Sequence, residues 1–522
     1  MCPHDIVPTM RLPTMFLALG LLACSSKKDE APPPAKEAPK VIKKPVDKAP
    51  LPPLAADPGG ATGAVIWAAT LGGMGLEVAR AVATDKADGV YVVGYFDGET
   101  DLGPAGKHAS TTGDKPVATG SGSAGDKLEA KNPSDAFVVK LDGAGKVVWG
   151  HTFGGPRSDD AKGVAVNGDN VVVVGNFADE IKIGEFAHKA VNSDDLYVVD
   201  FNSKGEVQWL WTSGGIESDG ANCVAATPDG GWIVGGSYFG AAEFGKFPVK
   251  SKGGSDAVLI KLSAGGDVEW VKSFGGRYND SIHHVGVDAR GAIYIQGVFR
   301  DVADFGGKNP VKSVGGVGDD VVVAKYDLNG DHLWSLGFGS KDEDAALGLA
   351  VDPAGHVTVV GSFDKTITFG PADTTQHTSL GESDIYVTRF DPNGKFEWTR
   401  TLGAEKEDGA SGVGVDRSGN VVVTGWFQGT VDFGKGMLTS NTPNKDIFVL
   451  KLDANGATTW AQAWGDHDHD QGRAVAIDDA GHPIIAGLYR FELAIAKPPI
   501  VSMHAPDDRA PKPDVFVVKL QR

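Results

Sequence analysis

Cysteine is scarce in this sequence. Its 522 residues hold three, at Cys2, Cys24 and Cys223, and each stands in a different region. This scarcity excludes an internal disulfide framework. Positive charge is also in deficit, because the formal net charge is −19 at pH 7. An acidic chain of this kind is expected to be soluble and not to bind nucleic acid.

Short catalytic motifs are missing as well. The sequence contains no G-x-S-x-G turn, no H-E-x-x-H pair and no phosphate-binding P-loop. We therefore predict that the protein is not an enzyme. Catalytic groups that come together from distant parts of a chain leave no such motif, so a glycan lyase or hydrolase stays an alternative.

Long apolar segments are the third absence. The apolar run from Met15 to Ala23 is too short to span a bilayer but suits a secretory signal. It ends in "LLAC" (21–24), which resembles the lipobox of bacterial lipoproteins. The resemblance implies a signal peptide over residues 1–23, cleavage after Ala23 and a covalent lipid on Cys24. An ordinary signal peptide with a chance cysteine is the alternative.

The segment after Cys24 is rich in proline, lysine and alanine and shows no apolar periodicity. We predict that residues 24–62 form a disordered tether that holds the folded part clear of a membrane. Ser25, not Asp, follows Cys24. In the best-known sorting scheme for lipoproteins, this choice favours the outer membrane. The expected location is therefore the bacterial cell envelope, with the chain anchored by lipid.

From residue 63 onward the chain repeats itself at a steady period, which indicates a repeat architecture. A tryptophan recurs at Trp67, Trp149, Trp209, Trp270, Trp334, Trp398 and Trp460. An aspartate that opens the "DAFVVKL" pattern recurs at Asp135, Asp195, Asp256, Asp320, Asp384, Asp446 and Asp514.

Each repeat holds four short β-type runs, typified by "AKGVAVN" (161–167), "NVVVVGNF" (170–177), "LYVVDF" (196–201) and "VQWLWTSGG" (207–215). Links such as "DPNG" (391–394) join the first run to the second and the third to the fourth, and their glycine suits a hairpin turn. Four antiparallel strands per repeat predict a propeller blade. Small residues alternate with Val or Leu in the first run, which indicates the innermost strand.

The repeat "DVFVVKL" (514–520) has no tryptophan strand after it, whereas "VIWAATLGG" (65–73) is a tryptophan strand with no repeat before it. We predict that these two segments pair and remove the open edges. The predicted fold class is all-β: one closed seven-bladed β-propeller over residues 63–522, with four-stranded blades. The N-terminal strand closes the ring in the last blade. The Gly/Ser/Lys-rich insertion at 104–134 is expected to be flexible.

The combined pattern "DxFVVKLDxxGxxxWxxxFGG…GVAVDxxGNVVVVGxF" resembles the SBBP-type β-propeller repeats of bacterial envelope proteins and, more distantly, NHL repeats. The resemblance covers residues 63–522. It implies the propeller fold, and it leaves function open because such propellers bind many different partners.

An acidic residue precedes the first run of every repeat, and these residues are candidates for a ring on the channel face of the propeller. Such a ring could collect cations or a basic segment of a partner. Alternatively, each carboxylate caps backbone N–H groups in its own turn, and the same alternative applies to the Asp135 series. The seven residues are Glu77, Asp159, Asp219, Asp280, Asp344, Asp408 and Asp470.

Histidine adds two further candidates. In "DHDHD" (466–470), Asp466, His467, Asp468 and His469 have ligand types suited to a divalent metal, although a solvated acidic loop is the alternative. His283 and His284 start a first run, where a packed or hydrogen-bonded pair is the default. Cys223 occupies a small-residue position and is expected to be a buried, inert thiol.

Three hypotheses about function follow. The favoured one is a lipid-anchored envelope propeller that acts as a monomeric, non-catalytic protein–protein interaction scaffold for an envelope or extracellular protein. The second is a carbohydrate- or small-ligand-binding module on the acidic channel face, with or without a divalent cation. The third is a glycan-active enzyme. No cofactor other than the covalent lipid on Cys24 is expected.

Overall fold

The structure is a computed structural model. It describes residues 63–73, 75–102, 107–109, 133–314, 318–342, 344–441, 443–502 and 512–522. The predicted signal peptide, Cys24 and the tether lie outside these residues, as does most of the predicted insertion at 104–134. Secondary structure in the described part of the chain is β-strand, and no helix there is long and apolar enough to cross a membrane.

Each sequence repeat folds into an antiparallel unit of four strands, paired in the order first, second, third, fourth. The first strands are β2 (Glu77–Thr84), β8 (Asp160–Asn167), β12 (Asp219–Ala226), β16 (Ser281–Val287), β22 (Ala345–Val351), β26 (Gly409–Val415) and β32 (Gln471–Ile477). The second strands are β3 (Val90–Phe96), β9 (Asn170–Ile183), β13 (Trp232–Phe244), β17 (Ile293–Phe299), β23 (Val357–Ile367), β27 (Val421–Phe427) and β33 (Pro483–Tyr489).

The third and fourth strands complete these units. The third strands are β6 (Asp135–Leu141), β10 (Phe186–Asn202), β14 (Phe247–Leu262), β20 (Asp320–Tyr326), β24 (His377–Phe390), β30 (Asp446–Leu452) and β36 (Asp514–Leu520). The fourth strands are β7 (Val147–Phe153), β11 (Val207–Gly215), β15 (Val268–Gly276), β21 (His332–Phe338), β25 (Phe396–Leu402), β31 (Thr458–Trp464) and, for the repeat that begins at β32, β1 (Val65–Gly73).

A hairpin extends the link between the second and third strands. In some repeats it prolongs the two strands themselves, and in others it forms the short strands β4 (Glu99–Asp101), β5 (Lys107–Ala109), β18 (Val302–Asp304), β19 (Val311–Lys312), β28 (Thr430–Asp432), β29 (Met437–Thr439), β34 (Glu492–Leu493) and β35 (Ile500–Val501). Several of these extensions pair with the fourth strand of the preceding repeat, as β4 does with β1. The units are thereby linked into larger sheets, among them one of ten and one of six strands.

The first strands contact one another in a closed cycle that runs β2, β8, β12, β16, β22, β26, β32 and back to β2. The strands are therefore arranged as an all-β β-propeller, as predicted, with the first strand of each repeat innermost. The predicted pairing of the N-terminal strand is also confirmed. β1 lies antiparallel to β36, with Ala69 opposite Val517 and Leu71 opposite Val515.

Small residues in the inner strands lie where neighbouring blades are close together. A Cβ atom on Gly286 would lie 2.6 Å from the Val351 side chain and 2.9 Å from that of Leu349, both on the next inner strand. Small residues are thus needed where neighbouring inner strands meet side by side, whereas Val82 and its equivalents line the central cavity.

The D-x-x-G links form the predicted hairpin turns. In the turn at 391–394, the Asp391 carboxylate accepts hydrogen bonds from the N–H groups of Asn393 (2.8 Å) and Lys395 (2.9 Å). Gly394 has a φ of +78°, a conformation that glycine adopts at little cost. The short side chain of the aspartate thus replaces backbone hydrogen bonds that the turn cannot make.

The recurring tryptophans connect neighbouring repeats. The indole N–H of Trp334 donates to the carbonyl oxygen of Pro392 in the next repeat at 3.1 Å, and Trp398 donates to that of Ala454 at the same distance. Trp67, on the ring-closing strand, donates to the carbonyl oxygen of Gly143 at 2.9 Å. The closing strand therefore contacts the following repeat in the way that an ordinary fourth strand does.

Candidate functional site

The seven acidic residues that precede the inner strands are all buried, with 0–3% of their surface exposed. Four of them, Asp159, Asp219, Asp408 and Asp470, accept hydrogen bonds from two backbone N–H groups each. Asp408 accepts from the N–H of Ala404 and from that of Gln428, each at 2.9 Å. Asp159 accepts from Gly155 and Ala178 in the same way, at 2.8 and 3.2 Å. The geometry is that of the capping alternative, and binding of cations or of a basic segment by this ring stays a prediction.

The Asp135 series lies next to these acids. A Cβ atom on Gly214 would lie 2.4 Å from Oδ1 of Asp195 and 2.9 Å from Oδ2 of Asp219, so both carboxylates converge on this glycine. Asp195 also accepts a hydrogen bond from the N–H of Val191, in the hairpin between its second and third strands, at 3.1 Å. A buried carboxyl of the first series and a buried carboxyl of the second series therefore lie close together beside Gly214, near the end of β11.

Burial raises the pKa of these carboxyls, and the neighbouring carboxyl of the other series raises it further. The pKa rises to about 8 for Asp159 and Asp470. It rises to about 7 for Asp219, Asp280, Asp344 and Asp408. Burial, followed by repulsion from Asp514, also holds the pKa of Glu77 well above its ordinary value. These groups hold protons in the folded protein at pH values where an exposed carboxyl is charged.

The "DHDHD" segment is held by contacts within itself and to two neighbouring links. Asp466 accepts hydrogen bonds from the N–H groups of Asp468 and Glu492, at 2.9 and 3.0 Å. Asp468 binds Arg490 at 3.1 Å, and the N–H of Lys445 donates to Nδ1 of His469 at 3.3 Å. The exposed ring of His467 stacks on Phe491 at 4.8 Å.

A metal ion needs several converging ligands. In the described part of the chain, no group of three or more His, Cys, Asp or Glu side chains is placed to hold one. A divalent cation at Asp466, His467, Asp468 and His469 therefore has no geometric support beyond the residue types, and it stays a prediction.

A cavity of about 330 Å³ lies between the inner strands, and the seven candidate acids do not line it. Each inner strand skips one residue in its pairing with the second strand, as between Ala161 and Gly163. Such a β-bulge turns the side chain of the extra residue out of the ladder. The residues at these bulges are Arg80, Lys162, Asn222, His283, Leu347, Ser411 and Arg473.

Six of these bulge residues line the cavity, and in the repeat of His283 the following residue, His284, does so. Sequence reasoning missed this set, apart from the two histidines. A signal was present: in a strand whose later positions repeat, this position varies between charged, polar and apolar side chains. A position that departs from the repeat is where a repeat protein can carry a specific site.

His283 and His284 form the hydrogen-bonded and packed pair expected by default. Nδ1 of His283 lies 3.3 Å from the carbonyl oxygen of Ala346. Burial, together with the adjacent His283, lowers the pKa of His284 to about 3, so its ring is neutral at physiological pH. Cys223 is a buried free cysteine whose thiol pKa is raised by burial, in agreement with an inert thiol.

These observations define a β-propeller repeat protein. Protein-family models were compared with the chain, and none matches. The uncharacterized WD repeat-containing protein L264 of Acanthamoeba polyphaga mimivirus is 20% identical over 512 residues, which cover 82% of this chain and 36% of that protein. Regulatory protein FlaEY of Caulobacter vibrioides is 26% identical over 171 residues, 32% of this chain and 18% of that protein. The chain thus spans about a third or less of these relatives.

Solved propeller structures are similar at low sequence identity. Sqt1 from Chaetomium thermophilum has a TM-score of 0.38 at 10% identity and is covered over 82% of each chain. YCF48 bound to D1 peptide has a TM-score of 0.38 at 8% identity, with 88% of this chain and 98% of that chain covered. A gluconolactonase from Xanthomonas campestris has a TM-score of 0.29 at 13% identity, with 68% and 90% covered. These likenesses carry no argument about function.

Proposed function

We propose that this protein is a non-catalytic scaffold of the bacterial cell envelope that binds another protein with one face of its propeller. The observation that supports the proposal is a set of exposed apolar side chains at one end of the strands. Ile216, Leu380 and Met437 are 70%, 72% and 67% exposed. Exposed apolar side chains that lie together on one face mark a protein–protein interaction site.

The topology brings these residues to the same face. In an antiparallel unit, the hairpin between the second and third strands leaves from the same end as the link from the fourth strand to the next repeat. Leu380 and Met437 lie in such hairpins, and Ile216 lies in such a link between β11 and β12. Further exposed apolar residues in these hairpins are Val191, Val314 and Val501. We call this surface the hairpin face.

A cross-linking experiment in the bacterial host with the full-length chain tests the proposal. The variants Leu380→Glu and Met437→Glu place a charge on the hairpin face, and we expect cross-linking to a protein partner to fall by about tenfold or more. Leu333→Glu is the matched control, because Leu333 is 53% exposed but follows a turn at the opposite end of the strands. Equal cross-linking by all variants, or none by the wild type, would contradict the proposal.

The anchor belongs to the same proposal and rests on the sequence. The "LLAC" motif and the following Pro/Lys/Ala-rich segment support a lipoprotein that is attached to a membrane through Cys24. Ser25 after the cysteine favours the outer membrane. In the same host, Cys24→Ser is expected to release the chain from the membrane fraction. Retention of that variant in the membrane would contradict the anchor. The SBBP-type repeat pattern supports the envelope assignment.

We also propose that the propeller has seven blades and acts as a monomer that does not bind nucleic acid. Seven sequence repeats, seven inner strands in contact and the pairing of β1 with β36 support the blade number. The acidic net charge supports the absence of nucleic-acid binding. An experimental structure with another number of inner strands around the axis would contradict the blade number. A dimer mass measured by light scattering would contradict the monomer.

A further inference from the structure

The central cavity collects cations in a protein that is otherwise strongly acidic. The inner strand β2 contacts β32 on one side and β8 on the other. These three neighbouring strands carry Arg473, Arg80 and Lys162 at their bulges, and all three side chains line the cavity. No Asp or Glu is among the described residues that line it, although the net charge of the chain is −19.

Among these cations, Arg80 pairs with one carboxylate and Lys162 bonds to a neutral amide. The guanidinium of Arg80 pairs with the Asp160 carboxylate at 3.2 Å and lies over the ring of Tyr95 at 5.1 Å. A guanidinium has five N–H donors, so this pair leaves capacity for another acceptor. Nζ of Lys162 donates to the neutral Oδ1 of Asn222 at 3.4 Å. Burial lowers the pKa of Lys162, which means that its charge is poorly solvated where it stands.

The opposite wall is uncharged and mostly polar. It is formed by Asn222, the neutral ring of His284, Leu347 and Ser411. The Ser411 hydroxyl donates to the carbonyl oxygen of Gly472 at 2.5 Å, and the amide nitrogen of Asn222 donates to that of Ile282 at 2.9 Å. The cavity thus offers a cationic side and a neutral side, in a volume of about 330 Å³ that lies in the range of small-molecule sites.

We propose that this cavity binds a small organic anion, whose oxyanion group is held by Arg80, Lys162 and Arg473 and whose uncharged remainder lies against the opposite wall. Arginine and lysine side chains together suit a carboxylate or a phosphate, because both present several oxygen acceptors to converging N–H donors. An anion here would also offset the desolvation of Lys162, which Asp160 and Asp194 offset only in part. This site is independent of the hairpin face.

Calorimetric titration of the full-length protein tests the proposal, with inorganic phosphate and acetate as probes and chloride at equal ionic strength as reference. We expect saturable binding of phosphate, acetate or both at concentrations up to about 10 mM, and the stronger of the two identifies the oxyanion class. Lys162→Gln and Arg473→Gln are each expected to weaken binding by about tenfold or more. Lys162→Arg, which keeps the charge, should retain binding.

The control for a general loss of charge is Lys272→Gln, because Lys272 lies on the outer strand β15 and pairs with Asp331 at 3.6 Å. It should bind the probes as the wild type does. Thermal unfolding without added anion shows whether each variant folds, and Lys162→Gln should melt no lower than the wild type, because it removes a desolvated charge. Equal binding by all folded variants, or no binding to the wild type, would overturn the proposal.

Discussion

At the scale of single residues, the repeated acids act as backbone caps. Four of the aspartates accept hydrogen bonds from N–H groups in two different links, as Asp470 does from Asp466 and Arg490, both at 3.0 Å. Their burial makes the charged form costly, and the nearby carboxyl of the other series adds repulsion. The propeller therefore holds protons at these sites, and its stability is coupled to pH.

We predict that the protein becomes less stable as pH rises from about 5 to about 8.5. In the unfolded chain the pKa of an aspartate is about 3.9. In the folded protein the pKa is about 7 for Asp408 and Asp344 and about 8 for Asp159. In this interval the folded state binds more protons than the unfolded state, so the free energy of unfolding falls as pH rises. Thermal unfolding at a series of pH values checks the prediction.

The Asp408→Asn variant identifies the source of this effect. An asparagine cannot ionise, so the variant should lose less stability than the wild type between the two pH values, by on the order of 1 kcal/mol. At pH 5 it should be the less stable protein, because the amide can accept only one of the two hydrogen bonds that Asp408 accepts. A pH dependence identical to that of the wild type would show that these carboxyls do not carry it.

At the scale of elements, the inner strand depends on its bulge and on a glycine opposite to it. A Cβ atom on Gly361 would lie 1.9 Å from the carbonyl oxygen of Ala345, which is backbone and cannot move aside easily. We expect Gly361→Ala to lower the free energy of unfolding by about 2–3 kcal/mol or more. Gly220→Ala is the control, because a Cβ atom there meets nothing closer than 3.8 Å. Chemical denaturation measures the free energy of unfolding of both variants. Equal losses in the two would exclude the explanation that Gly361 is needed for close backbone contact.

The same elements show what the sequence could predict. Strands, turns and the pairing of β1 with β36 could be predicted because they recur, and each repeat confirms the pattern of the others. The bulge residues could not, because Arg80, Lys162 and Arg473 stand at a position of the strand where the repeats differ. The sequence identified the seven acids but did not predict their burial, because an acidic residue before a strand has the same sequence pattern whether it caps a turn or faces a channel.

At the scale of the whole molecule, a lysine adds to the closure of the ring. Nζ of Lys519, on β36, lies 2.8 Å from Asp478 in its own repeat and 2.6 Å from Asp88 in the first repeat. Lys519 is 3% exposed. We predict that Lys519→Met destabilises the protein by about 3 kcal/mol, because it removes the lysine from the buried Asp478, which keeps only His482 and backbone N–H partners.

Hydrogen–deuterium exchange distinguishes a local from a global effect of this change. Amides of Val65–Gly73 should exchange faster in Lys519→Met, because the contact between the first repeat and β36 is weakened. The control is Lys261→Met, since Lys261 is equally buried but binds Asp229 and Thr227 within a single repeat. Faster exchange of β1 in both variants would mean that the loss is general and that closure does not depend on Lys519.

The pairing of β1 with β36 also sets an order of events during protein synthesis. β1 is among the earliest parts of the propeller to be made, and its partner, Asp514–Leu520, is made some 450 residues later. At about 5–20 residues per second, a ribosome leaves β1 without its partner for tens of seconds. Until then both ends of the curved array expose unpaired strand edges, which are prone to aggregation. The ring therefore cannot close before the last strand is available, whether the chain folds during synthesis or after export.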